Sequence, residues 1–149
     1  MGRLWNRNDM SKEKEPIKKK EQHPYLTIAT KYGMKRRHFH IDPRGFIIMK
    51  RQGVEYLQAK INAVVTFEII HEWCSPDEGR YCLKAYAKCD LGQVETFGEV
   101  SKGNNRNPYP IAMAEKRALS RAILKLAGFG GIVYSEDEMD DDAWRTIRA

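Results

Sequence analysis

Between residues 57 and 100 apolar and polar side chains alternate in stretch after stretch, and this alternation restricts the fold more than any other feature. Leu57, Ala59, Ile61, Ala63, Val65, Phe67 and Ile69 share one parity, with Gln58, Lys60, Asn62, Thr66 and Glu68 between them. Successive side chains of a strand point to opposite faces, so a period of two predicts strands with one face covered and one wet. After the turn residues Ser75-Pro76-Asp77-Glu78-Gly79, Leu83, Ala85, Ala87 and Cys89 alternate with Cys82, Lys84, Tyr86 and Lys88. Leu91-Gly92-Gln93 marks another turn before VETFGEV. The reading is an antiparallel β-meander over residues 56–100, with Lys60, Lys84, Tyr86 and Lys88 on its polar side. Cations interleaved with a ring suit a surface that tracks phosphates and stacks bases. They equally suit an ordinary wetted sheet.

Such a sheet needs a cover, and PIAMAEKRALSRAILKLAGFGG at 110–131 supplies one. Pro110 fits a first helical turn and Gly128 a stop. On a helix Ala112, Ala118, Leu119, Ala122, Ile123 and Leu126 fill one arc. Glu115 falls in that arc and is expected to be held by a structural hydrogen bond or ion pair. Arg117, Arg121 and Lys125 form a stripe beside it, four residues apart, with no acid along the line. Like charges so placed repel by a few tenths of a kcal/mol per pair, a row that becomes useful if phosphates lie along it. The fold class expected is α+β, a β-meander packed on a long helix (a β-β-β-α core) with a basic N-terminal tail and an acidic C-terminal segment.

The other segments are shorter. Residues 1–23, with KEKEPIKKK at 12–20, read as a disordered basic tail, and residues 24–149 as the domain. YLTIAT at 25–30 suits strand or helix. Asp42-Pro43-Arg44-Gly45 between HFHI and FIIMK predicts a β-hairpin. Its flanks are basic, with Lys35, Arg36, Arg37, Arg44, Lys50 and Arg51. His38 and His40 would share a strand face, but no further metal ligands can be placed beside them. The polar loop SKGNNRNPY at 101–109 adds Lys102 and Arg106. SEDEMDDDAWRTIRA at the end reads as a short helix or hairpin.

The 149 residues suit one domain, and 42% apolar residues allow a packed core. No apolar run approaches the roughly 18 residues of a membrane span. The N-terminus lacks a signal-peptide h-region, so a cytoplasmic protein is expected. Cys74, Cys82 and Cys89 lack CxxC spacing and read as reduced core thiols. The net charge is +6, but residues 134–149 hold six acids and two bases, so residues 1–133 carry +10. A basic body fits a polyanionic partner, most simply nucleic acid, or a solvated surface.

AMAEKRALSRAILKLAGFG followed by VYSEDEMDD, after strands such as KAYAKCDLGQVETFGEV, resembles the single-strand annealing proteins. These include the eukaryotic Rad-fifty-two-like recombination mediator and phage recombinases of the Erf and Sak type. The likeness covers roughly residues 55–142 and is most specific at Ala114-Glu115-Lys116-Arg117-Ala118 with Arg121-Ala122 one turn on. It implies a non-enzymatic protein that forms rings or filaments of its own copies. Such proteins hold single-stranded DNA by its backbone in a basic groove between sheet and helix, and join complementary strands in recombination or repair. By position Arg121 matches a DNA-contacting residue of the eukaryotic relative. The residue before it is basic there and is Ser120 here. A phage or host exonuclease or single-strand binding protein is an implied partner, and the nucleoid of a bacterial or phage-infected cell is the implied location. The expected DNA-binding set is Arg36, Arg37, Lys60, Lys84, Tyr86, Lys88, Lys102, Arg106, Arg117, Arg121 and Lys125, with no catalytic residue, metal or cofactor. Charge reversal at Arg121 is expected to weaken binding without unfolding the chain.

Two rivals stand beside this reading. A magnesium nuclease would draw on Asp90, Glu95, Glu99 and the acidic segment with Lys84 or Lys88, although no nuclease motif is present. A single-strand binding module would protect DNA without annealing it. Glu136, Asp137 and Glu138 read as a solvated tail or as a contact with the basic groove or a neighbouring subunit; consecutive acids without a turn glycine make a poor calcium loop.

Overall fold

The computed structural model describes residues 23–139. Apart from His23, the expected disordered tail lies outside the described residues, as do Asp140, Asp141, Asp142 and the rest of the C-terminal segment. Helices and strands follow in the order α1 (Pro24–Lys31), β1 (Phe39–Ile41), β2 (Ile47–Met49), α2 (Arg51–Lys60), β3 (Val64–Ile69), β4 (Tyr81–Cys89), β5 (Gly92–Val100), α3 (Pro110–Ala127) and β6 (Tyr134–Ser135). The class is α+β.

The first helix settles the YLTIAT ambiguity. Pro24 sits in its first turn and the His23 side chain accepts from the Tyr25 N–H. Tyr25, Ala29 and Tyr32 recur at i, i+4 and i+7 and are buried. The hairpin forms where the Asp-Pro-Arg-Gly turn predicts it, with Phe39 opposite Met49 and Ile41 opposite Ile47. Gly45 takes the left-handed conformation (φ 99°) and donates to the Asp42 carbonyl at 2.7 Å. On its other edge β2 pairs in parallel with β6, giving the order β1-β2-β6.

The predicted strand from Leu57 is corrected. Residues 51–60 are helical, and the strand begins only at Val64. Val54, Leu57 and Ile61 also satisfy a helical spacing, and all three are buried in the core with Met49, Ile123 and Phe129. Burial of that face outweighs an alternation that a strand could have used equally well. Asn62 ends the helix with φ 55°, a conformation Asn tolerates better than most residues. Lys60 therefore sits at a helix end and not on the sheet.

Strands β3, β4 and β5 pair antiparallel in chain order, with Thr66, Tyr86 and Glu95 in one rung and Glu68, Lys84 and Phe97 in the next. Helix α3 lies across β4 and β5. Ala114, Ala118 and Ala122 are fully buried there, against Leu83, Ala85, Ala87 and Val100. Thr96 Oγ1 donates to the Ala118 carbonyl at 2.7 Å. On its other side α3 presents Ile123, Leu124 and Ala127 to α1, β1–β2 and α2. The helix is thus covered twice, and the buried arc is rotated from the expected one: Ala112 and Glu115 are exposed, whereas Arg117 and Ser120 are buried. The thiols are free, but of the three only Cys82 is buried.

Candidate nucleic-acid interface

The cationic stripe of α3 does not lie free along the surface. Arg117 is 5% exposed. Its Nε donates to the Asp137 carbonyl (3.0 Å) and its Nη1 to the Glu99 carbonyl (2.9 Å) and Asn104 Oδ1 (3.0 Å). Its Nη2 donates to the Asn104 carbonyl (2.7 Å). Burial lowers its pKa from the usual arginine range, and Glu138, Glu99 and Asp137 oppose that shift. With its donors so committed, Arg117 has no surface to offer a phosphate and is removed from the DNA-binding set.

One turn on, Arg121 is half-buried and doubly paired. Nε and Nη2 donate to the two Glu138 oxygens at 2.5 and 2.8 Å, and Nη1 donates to Glu99 Oε1 at 2.7 Å and the Phe97 carbonyl at 2.6 Å. The hydrogen bonds it donates to Glu138 hold its pKa above the ordinary arginine value despite burial. Burial pushes the Glu99 carboxyl up, but Arg121 outweighs it and the net shift is downward. The acids missing from the stripe are therefore supplied by β5 and by the segment after β6. Arg121→Glu would gather three carboxylates, so it would destabilise the fold as well as any binding. Lys125 is exposed.

Arg121 and Lys125 border a groove of about 700 Å³ with Thr96, Gly130, Gly131, Tyr134 and Glu138. The groove opens at the margin between helix and sheet, because their inner faces are in contact. Tyr134 is half exposed and packs edge-on against Phe46 at 5.9 Å, with the Arg44 guanidinium 5.4 Å above the Phe46 ring.

The sheet face away from α3 carries Lys84, Tyr86 and Lys88 as the alternation predicts. Lys84 Nζ lies 2.9 Å from Glu95, 5.2 Å from the Tyr86 ring centre and 5.5 Å from that of Phe97. The Tyr86 hydroxyl donates to Glu68 at 2.7 Å. The Glu95 hydrogen bond raises the Lys84 pKa, and the Glu68 hydrogen bond raises that of Tyr86. This face is mixed in charge, with Glu68, Glu95 and Glu99 beside its two lysines. What distinguishes it is a cation placed between two rings. Phe97 is 48% exposed. Its role was open to the sequence, since it shares the parity of Glu95 and Glu99.

At the end of this face Trp73, 66% exposed, borders an apolar groove of about 450 Å³ with Tyr81, Phe97, Arg80 and Asn104. No periodicity marks Trp73. Lys102 and Arg106 are exposed on the adjoining loop, and Lys102 Nζ lies 3.4 Å from the Asp77 carbonyl. Arg36 and Arg37 are exposed on a 3-10 turn before β1, apart from both surfaces. His38 in that turn is buried and stacks on Tyr56, so it does not share a strand face with His40. Asp90 lies in the β4–β5 turn, away from Glu95 and Glu99, each of which is tied to a cation. Among the described residues no helix is long and apolar enough to cross a membrane. The chain matches no protein-family description, no curated protein and no solved structure.

Proposed function

We propose that the protein binds single-stranded DNA without sequence preference and anneals complementary strands, as a non-enzymatic domain of the β-β-β-α annealing type. The observation that carries this reading is the pairing of cations with rings that are exposed, as Phe97 and Tyr134 are, or half-buried, as Tyr86 is. Lys84 lies between Tyr86 and Phe97, and Lys125 and Arg121 flank a groove rimmed by Tyr134. Ammonium and guanidinium groups neutralise phosphates, while rings accept any base on their faces. Such contacts carry no base code, so sequence independence follows. Annealing asks for no proton transfer or nucleophile, only for two phosphate chains to be neutralised while bases stay accessible.

Assembly into a ring or filament would extend the track along a strand. Sheet edges with exposed apolar side chains support it: β3 is an outer strand of its sheet and carries Val64, 68% exposed, and Ile69, 44% exposed.

Lys125→Glu tests the surface, because Lys125 is exposed at the border of the groove. It is expected to weaken oligonucleotide binding severalfold and to lower the slope of log K against log salt by about 0.7 for the lost cation, or more with the charge reversed. The melting temperature should fall by only a few degrees, because the change puts an acid in the last turn of α3 but touches no buried contact. Equal affinity and slope would exclude the groove from the interface.

A further inference from the structure

The three acids that follow β6 do different work. Glu136 Oε1 accepts the Arg51 backbone N–H at the start of α2. Asp137 is 6% exposed, pairs with the Arg51 guanidinium and accepts from Ser120 Oγ at 2.6 Å. These two pin the 3-10 turn Glu136–Glu138 to α2 and α3. Glu138 alone reaches into the groove, with its two oxygens on Nε and Nη2 of Arg121. A carboxylate in this fork occupies the positions that two oxygens of a phosphodiester would take on the same guanidinium.

We propose that Glu138 is an intramolecular competitor for the strand: in the free protein its carboxylate sits where a backbone phosphate binds, and the strand must displace it. The proposal rests on the reading of the Arg121–Lys125 groove as a DNA contact. Displacement needs only a side-chain rotation, because Glu136 and Asp137 hold the turn and Glu99 keeps its own contact with Arg121. Lys125 and Tyr134 border the same groove and would receive the phosphate and its base. A weak, random site loses its hold on a strand easily, whereas an annealing surface must release duplex. A tethered acid that re-enters the seat favours that release and suppresses binding to stray polyanions.

If Glu138 closes the seat nine-tenths of the time, apparent affinity falls about tenfold. Binding of a fluorescent thirty-nucleotide oligo(dT) is therefore expected to tighten about tenfold in Glu138→Gln. Glu115→Gln, which makes the same charge change at an exposed site of α3, should tighten it less than about twofold. Glu138→Asp keeps the charge but is one methylene shorter, and it should recover part of the gain. In an Arg121→Gln background the Glu138→Gln gain should vanish, since the two act through one contact. Melting curves establish that each variant is folded, and Glu138→Asp serves should the Gln variant fail to fold. Equal gains from Glu115→Gln and Glu138→Gln would reduce the effect to net charge and overturn the proposal. Wild-type binding with no gain in either Glu138 variant would overturn it and leave the DNA reading intact. No binding by any of the proteins would overturn the DNA reading and the competitor with it.

Discussion

Arg117→Met is expected to lose about 3 kcal/mol or more of stability, a large fraction of the roughly 5–15 kcal/mol of a typical domain. The buried guanidinium joins three parts of the chain that are distant in sequence: the Glu99 carbonyl of β5, the Asn104 loop and the Asp137 carbonyl. Methionine fills a similar volume but leaves these acceptors without their donor; the Asp137 carbonyl, in a buried residue, loses the most, at about 1–3 kcal/mol, while the part-buried Glu99 and Asn104 acceptors lose less. It also removes the positive charge from a region holding Asp137, Glu99 and Glu138. Arg117→Lys should recover little, because an ammonium cannot reproduce the planar fork. Urea denaturation gives the loss as a lower midpoint at unchanged slope. A loss under about 1 kcal/mol would mean that the loop and acidic turn are held by other contacts.

Gly98→Val is expected to cost about 3 kcal/mol or more. A Cβ at position 98 would press on the Ala114 carbonyl and the Ala118 N–H, and would sit 2.9 Å from Ala118 Cβ. The obstacle is helix backbone, so no side chain can swing aside. Overpacking a close-packed core costs about 1–3 kcal/mol and occasionally more. Here the displaced helix would also strain the Thr96–Ala118 hydrogen bond and the Arg117 fork. Gly98→Ala should lose less than Gly98→Val, though still measurably. A valine variant as stable as the parent in urea would show that α3 rides less closely on β5 than its alanine stripe implies.

The parts of the fold that could be read from the sequence are those with local causes. Asp42-Pro43-Arg44-Gly45 dictates its own hairpin, Pro110 and Gly128 bound α3, and the alternation through Lys84, Tyr86 and Lys88 places them on one face. Residues 51–60 misled because Leu57 and Ile61 fit both periods, and only the core around Met49 and Phe129 chooses between them. The surface cations were visible as residue types, but their availability was not. Arg117 and Arg121 meet partners as far off as Glu99 and Glu138, and no spacing rule links residues brought together by a strand crossing a helix. The structure sets Lys84 against two rings, borders grooves with Lys88 and Lys125, and leaves Lys102 and Arg106 exposed on the loop after β5. It withdraws Arg117 and sets Lys60, Arg36 and Arg37 apart. Ala114, Ala118 and Ala122 let α3 sit close on the sheet, but the expected arc took in Ala112 and left out Ala114, so the close approach was not read from the sequence.

Annealing of two labelled complementary oligonucleotides, followed with and without protein over a salt series and in the absence of ATP, tests the functional claim most directly. The account predicts duplex formation faster than the spontaneous rate, an effect that fades as salt rises and is independent of sequence. Strand binding with no acceleration, or shortened products that appear only with magnesium, would contradict it.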